Sequence, residues 1–160
     1  MSAWGAVAGG FVGTVVLTTG LRAASELRLT RMDIPFLLGT AFSTNRVRAK
    51  AIGYVLHLLA GQAFAFIYYA IFLVIDESGF VLGGLFGLVH GLFVVTTLVN
   101  ILVPVVHPRM GNPHTAADTS PLLERPGFLM LNYGRSTPGV TLVVHVVYGA
   151  IVGGFVSLSG

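Results

Sequence analysis

The stretch AIGYVLHLLAGQAFAFIYYAIFLVI, residues 51–75, has no Asp, Glu, Lys or Arg and contains a single histidine, His57. A helix crosses the hydrocarbon core of a bilayer with about 20 mostly apolar residues. This stretch is long enough to do so, and three others have the same character: residues 3–21, 80–106 and 139–158. The remaining composition agrees with a membrane chain. Of 160 residues, 54% are hydrophobic and only 9% are charged, whereas soluble domains carry roughly 25% charged residues. So few charges cannot cover a water-facing surface. The expected fold is therefore all-α: one integral membrane domain, residues 1–160, forming a four-helix bundle in contact with lipid.

Charge placement predicts the orientation. Arg22, Arg28, Arg31, Arg46, Arg48 and Lys50 fall between spans one and two, and Arg109, Arg125 and Arg135 between spans three and four. The link between spans two and three has Asp76 and Glu77 and no basic residue. The positive-inside rule puts both long loops in the cytoplasm and both termini outside. No basic residue precedes the first apolar run, so it is expected to be retained rather than cleaved as a signal peptide. Residues 32–42 (MDIPFLLGTAF) and 126–134 (PGFLMLNYG) are too short to span and too apolar to float free. They are expected to lie at the cytoplasmic interface or to fold back on the bundle. Pro104, Pro108, Pro113, Pro121, Pro126 and Pro138 exclude a long helix through the second loop.

An internal echo suggests duplication. GGFVG at residues 9–13 matches GGLFG at 83–87, and the same shift of 74 carries Asp33 onto His107. His57 in VLHLLAG has a counterpart, His145, in VVHVVYG. Two tandem two-span hairpins, related by a pseudo-two-fold axis along the membrane normal, are expected from this. The glycines are read as packing residues. Gly9 and Gly13, Gly83, Gly87 and Gly91, and Gly149 and Gly153 recur at a spacing of four, with Gly61 one turn beyond His57. Small residues so spaced share one helix face and let backbones approach in lipid. With no strand before them, they are not a nucleotide loop.

Ionisable residues within spans face the bundle interior. His57 and His145 each lie about seven residues from the cytoplasmic edge, roughly 10 Å deep at 1.5 Å per residue. His90 lies nearer the midplane. A site on His57 and His145, completed by Asp33 or His107, could ligate a metal ion, and the two histidines alone could ligate a b-type haem. They could also serve a proton or ion path. Hydrogen bonding between helices is the plainer alternative. His114, in HPRMGNPH, is read as a solvated loop residue.

There is no HExxH, no GxSxG and no pair of intramembrane carboxylates, so hydrolysis is not expected. With no cysteine, disulfides, thiolate metal sites and covalent haem attachment are excluded. The few basic residues are explained by topology, so nucleic acid is not an expected partner. MDIP, the two HxxxG spans and HPRM resemble those of small uncharacterised four-helix membrane proteins of bacteria. The resemblance implies a fold and a bacterial cytoplasmic (inner) membrane location, and no activity. The leading expectation is an accessory or scaffolding subunit, partnered by other membrane subunits or by copies of itself. The alternative is the histidine site.

Overall fold

A computed structural model describes residues 1–110 and 123–159. Pro113, His114 and Pro121 lie outside the described residues, as does any assignment made for them. Among those described there are helices and no strand. Four helices are long and apolar enough to cross a membrane: Ala3–Glu26, Arg46–Ile75, Phe80–Val106 and Thr137–Leu158. The first, second and fourth run past the uncharged stretches, taking Arg22, Arg46, Arg48 and Lys50 into helical turns. The backbone still profits from helical hydrogen bonds where the helix leaves the apolar region, so charge marks the edge of the apolar part and not of the helix.

We label these α1 (Ala3–Glu26), α2 (Ile34–Gly39), α3 (Arg46–Ile75), α4 (Phe80–Phe93), α5 (Val103–Val106) and α6 (Thr137–Leu158). Between α4 and α5 the chain winds as a π-helix, Val94–Leu102. Pro104 follows at once. It has no N–H to donate, and its ring crowds the carbonyl four residues back. The departure from α winding thus falls where the α hydrogen-bond ladder is broken. A short 3₁₀ segment, Phe128–Tyr133, precedes α6.

The spans pack in the order α3, α1, α6, α4. Along α4 and α6 the backbones meet. A Cβ on Gly83 would overlap the Gly149 carbonyl oxygen, one on Gly87 the His145 carbonyl, and one on Gly153 the Gly79 carbonyl. Along α1 and α6, a Cβ on Gly9 would lie 3.0 Å from Val152 Cα, and one on Gly13 2.9 Å from Tyr148 Cδ2. The α3–α4 pair is different. These helices follow one another in sequence but are not packed closely. Aromatic side chains fill the interval: Phe72 stacks on Phe86 with centroids 5.3 Å apart, and Tyr68 sits edge-on to both Phe72 and Phe86. A two-fold relation between the hairpins would make α3 meet α4 as α1 meets α6. The packing lacks that match, because the residues facing across the two intervals differ in size.

The first loop folds back on the bundle. α2 lies on the start of α3, where a Cβ on Gly53 would overlap the Pro35 carbonyl and one on Gly39 the Ala49 carbonyl. The second loop joins this layer: Arg31 N–H donates to Tyr133 O at 2.7 Å, and the Thr30 and Thr137 hydroxyls are 2.8 Å apart.

Candidate functional site

Beneath α2 lies a cavity of about 260 Å³. His57 from α3, His90 from α4 and His145 from α6 all line it, and Thr141 and Gly61 add polar atoms. The rest of the wall is apolar. Leu17 and Leu21 come from α1, Leu37 from α2, and Val94, Leu98 and Val99 from the π-helix. The irregular winding before Pro104 thus forms part of the wall.

Two of the histidines have a tautomer set by their partners. His145 Nδ1 lies 2.7 Å from the Thr141 carbonyl, one turn back on α6. A carbonyl only accepts, so Nδ1 carries the proton and Nε2 is left as an acceptor. His57 Nδ1 lies 3.0 Å from Thr18 Oγ1. That hydroxyl donates its one proton to the Thr14 carbonyl at 2.7 Å, so it accepts from His57. His57 Nε2 is then also an unprotonated acceptor. Neither Nε2 has a hydrogen-bond partner among the described residues. No fully enclosed side-chain nitrogen or oxygen among them lacks a partner. Both Nε2 atoms therefore have open space before them.

His90 is the member that sequence reasoning left without a role. Its ring centroid lies 4.8 Å from that of His145, at 78°, and 3.8 Å from that of Phe64, with those two rings tilted by 30°. Its Nδ1 is 3.2 Å from the Tyr68 hydroxyl. One signal was available: His90 follows Gly87 by three positions, which puts it near the face that meets α6. Its contacts on α3, Phe64 and Tyr68, could not be inferred from spacing. Tyr148, one turn after His145, crosses from α6 to α3 and donates to the Gly61 carbonyl.

Asp33 and His107 are engaged elsewhere. Asp33 caps α2: Oδ1 accepts from Phe36 N–H at 3.0 Å, and Oδ2 pairs with Lys50 Nζ at 2.8 Å. His107 holds the other end of α2. Its Nδ1 accepts from Arg109 N–H at 3.1 Å, which leaves Nε2–H to donate to the Leu37 carbonyl at 3.0 Å. Burial lowers the His107 pKa from its ordinary value; the Leu37 contact opposes this and Arg109 adds to it. The structure thus brings His57, His145 and His90 to one cavity and sets Asp33 and His107 to fixing its cover. Among the described residues, no three His, Asp or Glu side chains are grouped closely enough to hold a metal ion.

Of the glycines marked by spacing, Gly61 lines the cavity, while Gly83, Gly87, Gly149 and Gly153 meet backbone across the α4–α6 seam. Gly91 meets Leu142 and His145 there. Four helices long and apolar enough to cross a membrane, with a cavity lined by three histidines among them, are compatible with a multi-pass membrane protein. Compared with protein-family models, curated proteins and solved structures, the chain matches none.

Proposed function

We propose that this protein binds a small bilayer-soluble molecule inside its own bundle, and that His57 and His145 recognise it by accepting hydrogen bonds from its hydroxyl groups. The observation that carries the reading is the shared state of the two rings. Each gives its Nδ1 proton to an oxygen of the bundle, and each leaves a bare Nε2 beside the same apolar cavity. A site with acceptors and apolar walls suits a neutral molecule that is oily over most of its surface and has a donor at one end.

In this reading the glycine seams keep α1, α6 and α4 close enough to hold the histidines in register. The basic loops face the cytoplasm of a bacterial inner membrane, with both termini outside. The two hairpins each supply one of the pair, His57 from α3 and His145 from α6.

The test is ¹⁵N-histidine NMR of the purified protein, with 1-decanol and its methyl ether as probes. The alcohol has one O–H to give, so it should shift Nε2 of His57 or of His145, and the ether should shift neither. Replacing the histidine that shifts by Phe, which accepts no hydrogen bond, should weaken decanol binding about fivefold, the equivalent of one hydrogen bond of about 1 kcal/mol. No Nε2 shift with decanol, or an Nε2 already protonated in either residue, would defeat the reading. A shift with zinc and none with decanol would favour a two-histidine metal site instead.

A second reading is favoured by one observation. The apolar window of α3 is only 17% buried within the chain, against 50% for α6. That leaves room for an accessory or scaffolding role in which α3 meets another subunit or a second copy. Extraction in mild detergent would then give a particle larger than the single chain; a stable monomer counts against this reading.

A further inference from the structure

The charged side of the cavity is covered. α2 lies across it, with Leu37 in the wall, held at one end by Asp33 and at the other by His107. The flank between α3 and α4 is open. There a groove of about 350 Å³ runs along the outside of the bundle, lined by Phe64, Ile67, Ile71, Phe86, Val89 and Phe93 together with Tyr68 and His90. Val89 is 66% exposed and Ile67 51% exposed, so the groove faces the surroundings of the helices. In a bilayer those surroundings are hydrocarbon. The polar side-chain atoms facing each other across it, Tyr68 Oη and His90 Nδ1, are already 3.2 Å apart. Such a wall suits a hydrocarbon chain and offers little to a polar head.

The groove and the histidine cavity share two residues, Phe64 and His90. The centroids of those two rings are 3.8 Å apart, with the planes tilted by 30°. The boundary between the two spaces is therefore one aromatic contact and not a layer of backbone. Phe64 is half-buried, and turning its ring off His90 would join them.

We propose that the α3–α4 groove is the hydrocarbon end of the histidine site. The ligand is then a bilayer amphiphile with a hydroxyl head, which enters sideways from the membrane past Phe64 and leaves its chain between α3 and α4. This rests on the reading of the cavity above, and it adds the route and the long apolar tail of the substrate class. Continuity decides the occupant: the groove abuts a cavity whose free polar atoms are hydrogen-bond acceptors, and its open side lies where acyl and prenyl chains reside.

The experiment uses the full chain in lipid nanodiscs and a twelve-carbon primary alcohol with a photoactivatable diazirine at its far end. After irradiation, labelling should concentrate on Ile67, Val89 and Phe93. The expected excess over lipid-facing controls Val55, Leu85 and Val147 is about tenfold, the ratio given by 1.4 kcal/mol of preference. Labelling at Ile67 should fall toward the control level in the His57→Phe, His145→Phe double variant, which has no acceptor at either position. Val89→Trp leaves the histidines intact and fills the groove, so it should remove the excess at Ile67 and Phe93 by itself. Even labelling of groove and controls overturns the proposal; if decanol still shifts Nε2 of His57 or of His145, the cavity reading stands without it. Even labelling with no Nε2 shift overturns both. Groove labelling that ignores the histidine substitutions also overturns it, because the groove would then bind chains independently of the cavity.

Discussion

The α4–α6 seam and the α3–α4 interval are built from opposite materials. At the first, Gly83, Gly87, Gly149 and Gly153 leave no room for a methyl group between the helices. At the second, Phe64, Tyr68, Phe72 and Phe86 hold two sequence neighbours apart. Within lipid, apolar side chains gain nothing by leaving the surrounding hydrocarbon, so helix approach is governed by shape and by hydrogen bonds. Small residues then bring backbones together, and large ones leave usable volume between helices. The contrast separates the closed side of this bundle from its open side.

The largest effect should come from forcing the closed seam to resemble the open one. Gly83→Leu places a branched side chain against the Gly149 carbonyl. Overpacking typically costs about 1–3 kcal/mol and occasionally more, and here backbone has to move, so we expect the upper end. The readout is the loss of monodisperse protein and a fall in thermal midpoint in detergent. A variant as stable as the parent would show that α4 and α6 do not meet at this point.

The converse change empties the open interval. Phe72 is fully buried and stacks on Phe86. Phe72→Ala should cost about 3 kcal/mol and let α3 and α4 draw together. Distances between spin labels at Leu73 and Val81 should shorten if aromatic bulk sets the interval. Unchanged distances would mean that the loop at residues 76–79 sets it.

Glycine outside either seam should behave in the ordinary way. A Cβ on Gly139, in the first turn of α6, meets nothing within 4 Å. Gly139→Ala should therefore stabilise by about 0.4–1 kcal/mol, seen as a small rise in thermal midpoint. A fall of the size expected for Gly83 would erase the distinction between seam and non-seam glycines.

The smallest effect concerns the cover of the cavity. Burial lowers the His107 pKa below its ordinary value near 6.5. The folded state thus binds this proton less readily than the unfolded state, and the stabilising contribution is complete above that value. It declines as the pH falls through the ordinary value toward the lower folded one. Thermal midpoints should drop modestly on acidification over this window, and His107→Gln should flatten that dependence. An unchanged profile in the variant would assign the acid sensitivity to other groups.

The four spans were legible because exclusion of charge over about 20 residues is a demand of the hydrocarbon itself and can be read along one dimension. The ends were less so, since Glu26 and Arg46 extend their helices beyond the apolar zone. His57 and His145 could be singled out as polar residues in apolar runs. Their tautomers could not, because these depend on hydrogen bonds to the Thr18 hydroxyl and the Thr141 carbonyl. Asp33 and His107 could be paired by their spacing, yet their contacts with α2 arise only once the loops fold back. His90 gains a place in the site through Phe64 and Tyr68, which lie on another helix.

Sequence by itself determined how many helices are long and apolar enough to cross a membrane and which residues in them are polar or small, because these follow from solvation of single side chains and from the helical repeat. Which seam closes and which stays open was decided by the tertiary structure. That outcome depends on the sizes of residues facing each other from distant parts of the chain: Gly83 against Gly149 leaves no gap, while Phe72 against Phe86 holds α3 and α4 apart beside the groove that His90 lines.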